Sequence, residues 1–289
     1  MIDVLRMTSG ADRMTFRIPH TQLLCICLSL SSSALVIFII ATAQGETRVL
    51  AQNSILVGTS AIAFALSIII TSRFSVLSYR RSITMLMVGL GLWCAAEITW
   101  TYYVQVLNIE IPFPSAADWF YLGGYAFVGY FLLRIVRSLV NVNKRNILVI
   151  TTVSVSIVAS IINIFVLDLV RESFAVTSLP AEEVMVLALS VAYPIFDGLL
   201  LIPSMIILYE SRGNKNEYFS WILMSIGMLL LGIGDTGFGY TALKDVQSLA
   251  DEAIWDIIFS LSYIFIIGSL VYELAVIKSR RNHPLPNPS

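Results

Sequence analysis

Residues 112–125 read PFPSAADWFYLGGY, and this stretch places a carboxylate at the boundary between two long apolar runs. Pro112 and Pro114 lack the N–H that a continuing helix needs, so the preceding helix stops here. Ser115 carries the side-chain oxygen of an N-cap, and Asp118 then falls in the first turn, where the helix dipole favours negative charge. A helix is therefore expected to start at this point and run through Phe131. In the plain reading Asp118 only complements that dipole; in the functional reading it acts with other acids placed inside the membrane.

Of the 289 residues, 57% are hydrophobic and 13% charged, with a mean hydropathy of +0.82. Soluble domains carry charge on about a quarter of their residues, so the composition indicates an integral membrane protein. The net charge of −1 hides an asymmetry along the chain and by itself says nothing about nucleic acid; no basic tract is long enough to follow a phosphate backbone, so no nucleic-acid partner is expected. Cys25, Cys27 and Cys94 lie in apolar runs without C-x-x-C spacing, as lipid-facing or packed thiols rather than disulfide or metal ligands.

Outward from Asp118, the chain divides into eight apolar spans: Leu23 to Ala43, Ile55 to Ile70, Ser82 to Val106, Asp118 to about Leu133, Ile147 to Leu167, Glu183 to Leu208, Tyr218 to Leu243 and Ile254 to Ile277. Each is about long enough to cross a hydrocarbon core. Trp100, Tyr102 and Tyr103 form an aromatic belt at the end of the third. Pro194 and Pro203 predict kinks in the sixth. Ala41-Thr42-Ala43 offers a small-x-small cleavage site, but the first run exceeds a signal core, which favours an uncleaved span.

Charge orients the bundle. Fifteen of the 18 Lys and Arg residues fall in the N-terminal segment, alternate loops and the C-terminal tail. The other loops hold Arg48, Arg171 and Lys244 among Glu46, Glu110, Glu172, Asp245 and Asp251. The positive-inside rule then places both termini in the cytoplasm of a multi-pass protein of the cell membrane. The expected architecture is an all-α bundle of eight transmembrane helices over 21–277, with cytoplasmic segments 1–20 and 278–289. The two halves of four spans show no convincing match to one another.

Within the spans stand Glu97, Asp118, Asp197, Asp235 and Asp256, costly in lipid unless paired, protonated or turned to a polar cavity. No Lys, Arg or His lies in a span to pair with them. Glu97 is fifteen residues from Ser82, roughly 22 Å along an outward-running helix. Asp235 lies in an outer half, Asp118 and Asp256 near outer ends, and Asp197 closer to the middle, so the acids can face one outward-opening chamber floored by Asp197. At helical spacing Asp118 shares a face with Tyr121 and Tyr125, Asp197 with Tyr193, Glu97 with Trp93, Trp100 and Thr101, and Asp256 with Glu252, Ser260 and Tyr263. Gly232, Gly234, Gly237 and Gly239 let helices approach closely near Asp235.

Two chemistries follow from this set. The acids hold protons and hydrogen-bond the tyrosines, or they compensate one another by binding a cation. A divalent cation suits oxygen ligands, and an organic amine suits acids ringed by Trp and Tyr. The plainer alternative is interhelical hydrogen bonding that specifies packing.

Pro114-Ser115-x-Ala117-Asp118-x-x-Tyr121-Leu122-x-x-Tyr125, Tyr193-Pro194-x-x-Asp197 and Gly234-Asp235 together resemble the multi-span membrane input domains that precede diguanylate cyclase (GGDEF) or histidine kinase modules in prokaryotic signalling proteins. The resemblance runs from the third span to the eighth and implies a sensor in which Asp118, Tyr121, Tyr125, Tyr193, Asp197 and Asp235 are the positions carried over. Those relatives continue into an output module, whereas this sequence ends at Ser289, so signalling is expected through a separate cytoplasmic partner. The basic loops 134–145 and 210–217 are its candidate docking sites, or simple topology signals.

The site expected from the residues is thus Glu97, Asp118, Tyr121, Tyr125, Tyr193, Asp197, Asp235 and Asp256, with no cofactor identified. The alternative function is a secondary transporter or proton-coupled carrier using the same acids. An enzyme is not expected, because His20 and His283 lie in terminal segments and no activated nucleophile is evident. A retinal protein is excluded, since Lys278 stands only at the cytoplasmic end of the eighth span.

Overall fold

A computed structural model describes residues 19–73, 77–109, 113–139, 144–173, 181–213, 218–243 and 249–282. They form α1 (Pro19–Thr42), α2 (Gly45–Arg73), α3 (Leu77–Gln105), α4 (Ala116–Ser138), α5 (Lys144–Ser173), α6 (Ala181–Glu210), α7 (Phe219–Leu243) and α8 (Leu249–Asn282), with a 3-10 turn at Ser211–Gly213. All eight helices contain a stretch long and apolar enough to span a membrane, and no strand occurs among the described residues. The expected all-α bundle of eight membrane spans is what the chain forms. Helices suit lipid because they satisfy their backbone polar groups internally. Outward-facing Leu24, Leu35, Phe38, Leu148 and Val155 provide the apolar surface a bilayer covers. The expected terminal segments, apart from residues 19–20 and 278–282, and the centres of the basic loops (140–143, 214–217) lie outside the described residues.

Two helix boundaries differ from expectation. α2 begins at Gly45 and so takes in Glu46 and Arg48, which were assigned to a loop. The run after Gly45 contains no breaker and is rich in good helix formers, so charge alone does not end the helix. Only Ala43 and Gln44 separate α1 from α2, and Gly45 adopts φ 53°, a left-handed backbone that glycine reaches at little cost. α5 likewise runs on through Arg171 and Glu172.

At the start of α4 the expected cap is present as a full capping box. The Ser115 side chain accepts from Ala117 N at 3.2 Å, and Asp118 Oδ2 accepts from Ser115 N at 2.6 Å. α6 continues through Pro194 and Pro203. Pro203 has no N–H to offer the Leu199 carbonyl. Gly129 of α4 packs at that point, where a Cβ would lie 3.6 Å from Leu199 O.

Six helices close into a ring: α2 packs on α3, α3 on α4, α4 on α6, α6 on α7, α7 on α8, and α8 returns to α2. α1 lies outside against α8, where Gln22 donates to the Tyr272 hydroxyl at 3.1 Å, and α5 lies outside against α6. The ring therefore consists of two three-helix runs, α2–α4 and α6–α8, joined at two equivalent seams. The ring takes α2–α4 from the first four helices and α6–α8 from the second, and α1 and α5 stand outside it. Trp93, Tyr125, Phe131, Leu200 and Tyr263 are buried at the centre. The α3–α4 seam is close because position 124 has no side chain; a Cβ on Gly124 would fall 2.3 Å from the Trp93 indole.

Candidate functional site

The ring encloses a cavity of about 400 Å³ at the end of the bundle where α3 and α7 finish and α4 and α8 begin. Glu97, Asp118, Tyr121, Tyr125, Tyr193, Asp197, Asp235 and Asp256 all line it. Every site residue expected from the sequence is thus brought to one space. No Lys, Arg or His is among the described residues that line it.

Ring order explains the convergence. α3 contributes Glu97, α4 Asp118, α6 Asp197, α7 Asp235 and α8 Asp256, each from the inward face of its helix. Asp118 divides its two oxygens between tasks: Oδ2 caps α4, while Oδ1 accepts from the Tyr193 hydroxyl of α6 at 2.7 Å. The dipole reading and the cavity reading of Asp118 therefore describe the same carboxylate. The Tyr125 hydroxyl lies between two acids, donating to Asp197 Oδ1 at 3.0 Å and also bonded to Asp235 Oδ2. The Tyr263 hydroxyl donates to Glu97 Oε1 at 3.0 Å.

These partners correct the expected pairings. Same-helix neighbours were expected, Tyr193 for Asp197 and Tyr263 for Asp256; instead Tyr193 bonds Asp118 and Tyr263 bonds Glu97. Side chains on one helix face point the same way, so their polar tips meet groups arriving from the facing helix. The side chain of Glu252 lies outside those described.

Aromatic rings complete the wall. Trp93 stands edge-on to Tyr125 with centroids 5.6 Å apart, and its Nε1 donates to the Tyr121 carbonyl at 3.1 Å. Tyr125 and Tyr193 meet at 6.4 Å, and Trp100 meets Phe238 at 5.8 Å. Phe113, Phe238 and Phe259 line the cavity without having been singled out from the sequence. Their only signal was proximity: Phe113 lies in the motif before Asp118, and Phe238 and Phe259 stand three residues after Asp235 and Asp256.

Tyr125 has a single hydroxyl hydrogen to share between two carboxyl groups. A buried trio of this kind is complete only when a proton or a cation joins it. Among the described residues no three acidic, histidine or cysteine side chains gather as a set that could hold a metal ion. The acids instead surround a space with aromatic walls, a geometry suited to a larger cation whose charge faces carboxylates and ring faces together. Comparison with protein-family models, curated proteins and solved structures returned no match.

Proposed function

We propose that this protein is a ligand-binding membrane protein of the sensor type, whose cavity receives a small organic cation. The observation that carries the reading is the convergence of five intramembrane acids and an aromatic wall on one cavity with no basic side chain among its described lining. The volume falls within the range of small-molecule sites. With both termini cytoplasmic, as the charge distribution favours, the cavity end of the bundle lies on the non-cytoplasmic side of the cell membrane. Ligand entry would bias the packing of α6, which carries Pro194 and Pro203 inside its length. A separate cytoplasmic partner would read that change at the basic loops. In this reading the protein performs no catalysis.

The test is thermal stability of detergent-purified protein against a panel of primary amines, quaternary amines and divalent cations, comparing wild type with Asp118→Asn and Asp235→Asn. Amine-specific stabilisation lost in both variants supports the reading; stabilisation unchanged in both rejects the site. A second reading, a carrier, is favoured by the ring of two three-helix runs, since parallel repeats around a central site recur among transporters. Flux of a bound amine into sealed vesicles separates carrier from sensor.

A further inference from the structure

The ring repeats in sequence register as well as in packing order. Glu97 and Asp235, Asp118 and Asp256, and Tyr125 and Tyr263 each stand 138 residues apart. Gly89 and Gly227, at the α3–α4 and α7–α8 seams, share that spacing. A Cβ on Gly89 would meet the Gly124 carbonyl at 3.0 Å and the Val128 side chain at 2.6 Å. One on Gly227 would meet the Ser262 carbonyl at 2.8 Å and the Ile266 side chain at 2.9 Å. Ser262 and Ile266 are again 138 residues beyond Gly124 and Val128.

Two hydrogen bonds of the site follow the same relation. Tyr125 of α4 reaches Asp235 of α7, and Tyr263 of α8 reaches Glu97 of α3. Each tyrosine thus crosses from its own three-helix run to the acid of the other. Trp100 and Phe238, also 138 residues apart, form an edge-to-face pair between the two runs. α2 and α6 correspond at a spacing of 137, which superposes buried Ser67 on Ser204 and Ile70 on Ile207. Each counterpart lies four helices along the chain from its mate, so both run in the same direction and the relation is a parallel, approximate twofold.

We propose that the cavity is a pair of half-sites generated by this internal repeat, and that it takes an organic molecule with two cationic groups. One group is held by Asp235 with Asp197, the other by Glu97 with Asp256, and the carbon chain between them passes along the aromatic wall. Each half-site offers a carboxyl group and a tyrosine hydroxyl donated from the opposite run. A single ammonium serves one half only. A second ammonium on the same molecule serves the other without a second loss of translational freedom. The halves also differ: at the 137-residue spacing, Tyr193 and Asp197 stand where the first run has Leu56 and Ser60. Only in the α6 half does one tyrosine hydroxyl join both acids, Tyr125 to Asp197 and Asp235, and that half is the tighter for one amine alone.

This rests on the organic-cation reading above and sharpens it. The test is calorimetric titration of the purified full chain with α,ω-diaminoalkanes and with n-alkylamines of equal carbon number. At the best chain length the diamine binds one to one and about 10- to 100-fold tighter than its monoamine, the range of one added charge-assisted hydrogen bond. Glu97→Gln reduces the diamine to monoamine affinity while leaving monoamine binding in place, and Asp235→Asn weakens both. Tyr263→Phe, which keeps the ring, lowers diamine affinity in the same direction should Glu97→Gln fail to fold. Equal affinities for diamine and monoamine across the series overturn the two-headed ligand and leave the organic-cation reading standing. Binding of neither amine overturns both.

Discussion

Tyr125→Phe removes one oxygen and keeps the ring, so it isolates the hydroxyl that joins Asp197 to Asp235. The ring is 1% exposed and packs on Trp93, Tyr193 and Phe196, contacts a phenylalanine retains. Interhelical hydrogen bonds in membranes contribute about 0.6 kcal/mol on average and up to about 1.7 kcal/mol. Tyr125 makes two such bonds to acids on α6 and α7, whereas its counterpart Tyr263 makes one, to Glu97 on α3. Tyr125→Phe is therefore expected to cost about 1–3 kcal/mol and Tyr263→Phe about half as much. The assay is reversible unfolding in mixed detergent micelles with both variants and the Tyr125→Phe/Asp235→Asn double variant. The double variant should cost less than the sum of its single changes, because each removes the same bond. A larger loss from Tyr263→Phe than from Tyr125→Phe, or strict additivity in the double variant, would refute the bridging role.

Gly124→Val drives a branched side chain into the Trp93 indole at the α3–α4 seam and is expected to destabilise by about 1–3 kcal/mol, measured by the same unfolding assay. Ser115→Ala removes the α4 cap and is expected to cost about 0.5–2 kcal/mol. Amine binding should persist in that variant, because Tyr193 still holds Asp118 Oδ1; loss of binding without loss of stability would contradict this division of the carboxylate. In a background lacking Cys25, Cys27 and Cys94, single cysteines at Leu107 and Arg137 should label from opposite sides of the membrane, with position 137 cytoplasmic. Labelling from one side would contradict the topology.

Much of the architecture was legible because lipid imposes a simple demand. A long uncharged helix is recorded in composition alone, and proline and serine at 112–115 mark where α4 begins. The acids stood out for the same reason: a carboxylate in an apolar run needs an explanation. Their partners were not legible, because Tyr263 reaches Glu97 only once α8 and α3 face each other across the ring. The repeat was hidden for two reasons. α1 and α5 lie outside it and dilute a comparison of four-span halves, and it conserves chemistry more than identity, with Glu97 answered by Asp235 and Trp100 by Phe238. The early start of α2 was missed because Glu46 and Arg48 suggest a loop, although neither breaks a helix.

The most direct test of the central claim, that the five acids form one cation-binding cavity, is equilibrium binding of a radiolabelled α,ω-diaminoalkane to purified wild type and to Asp197→Asn, Asp235→Asn and Glu97→Gln. The account predicts saturable binding at one molecule per chain that weakens in all three variants, although the acids come from three different helices. Saturable binding that persists unchanged in all three, or no saturable binding of any amine to wild type, would contradict it.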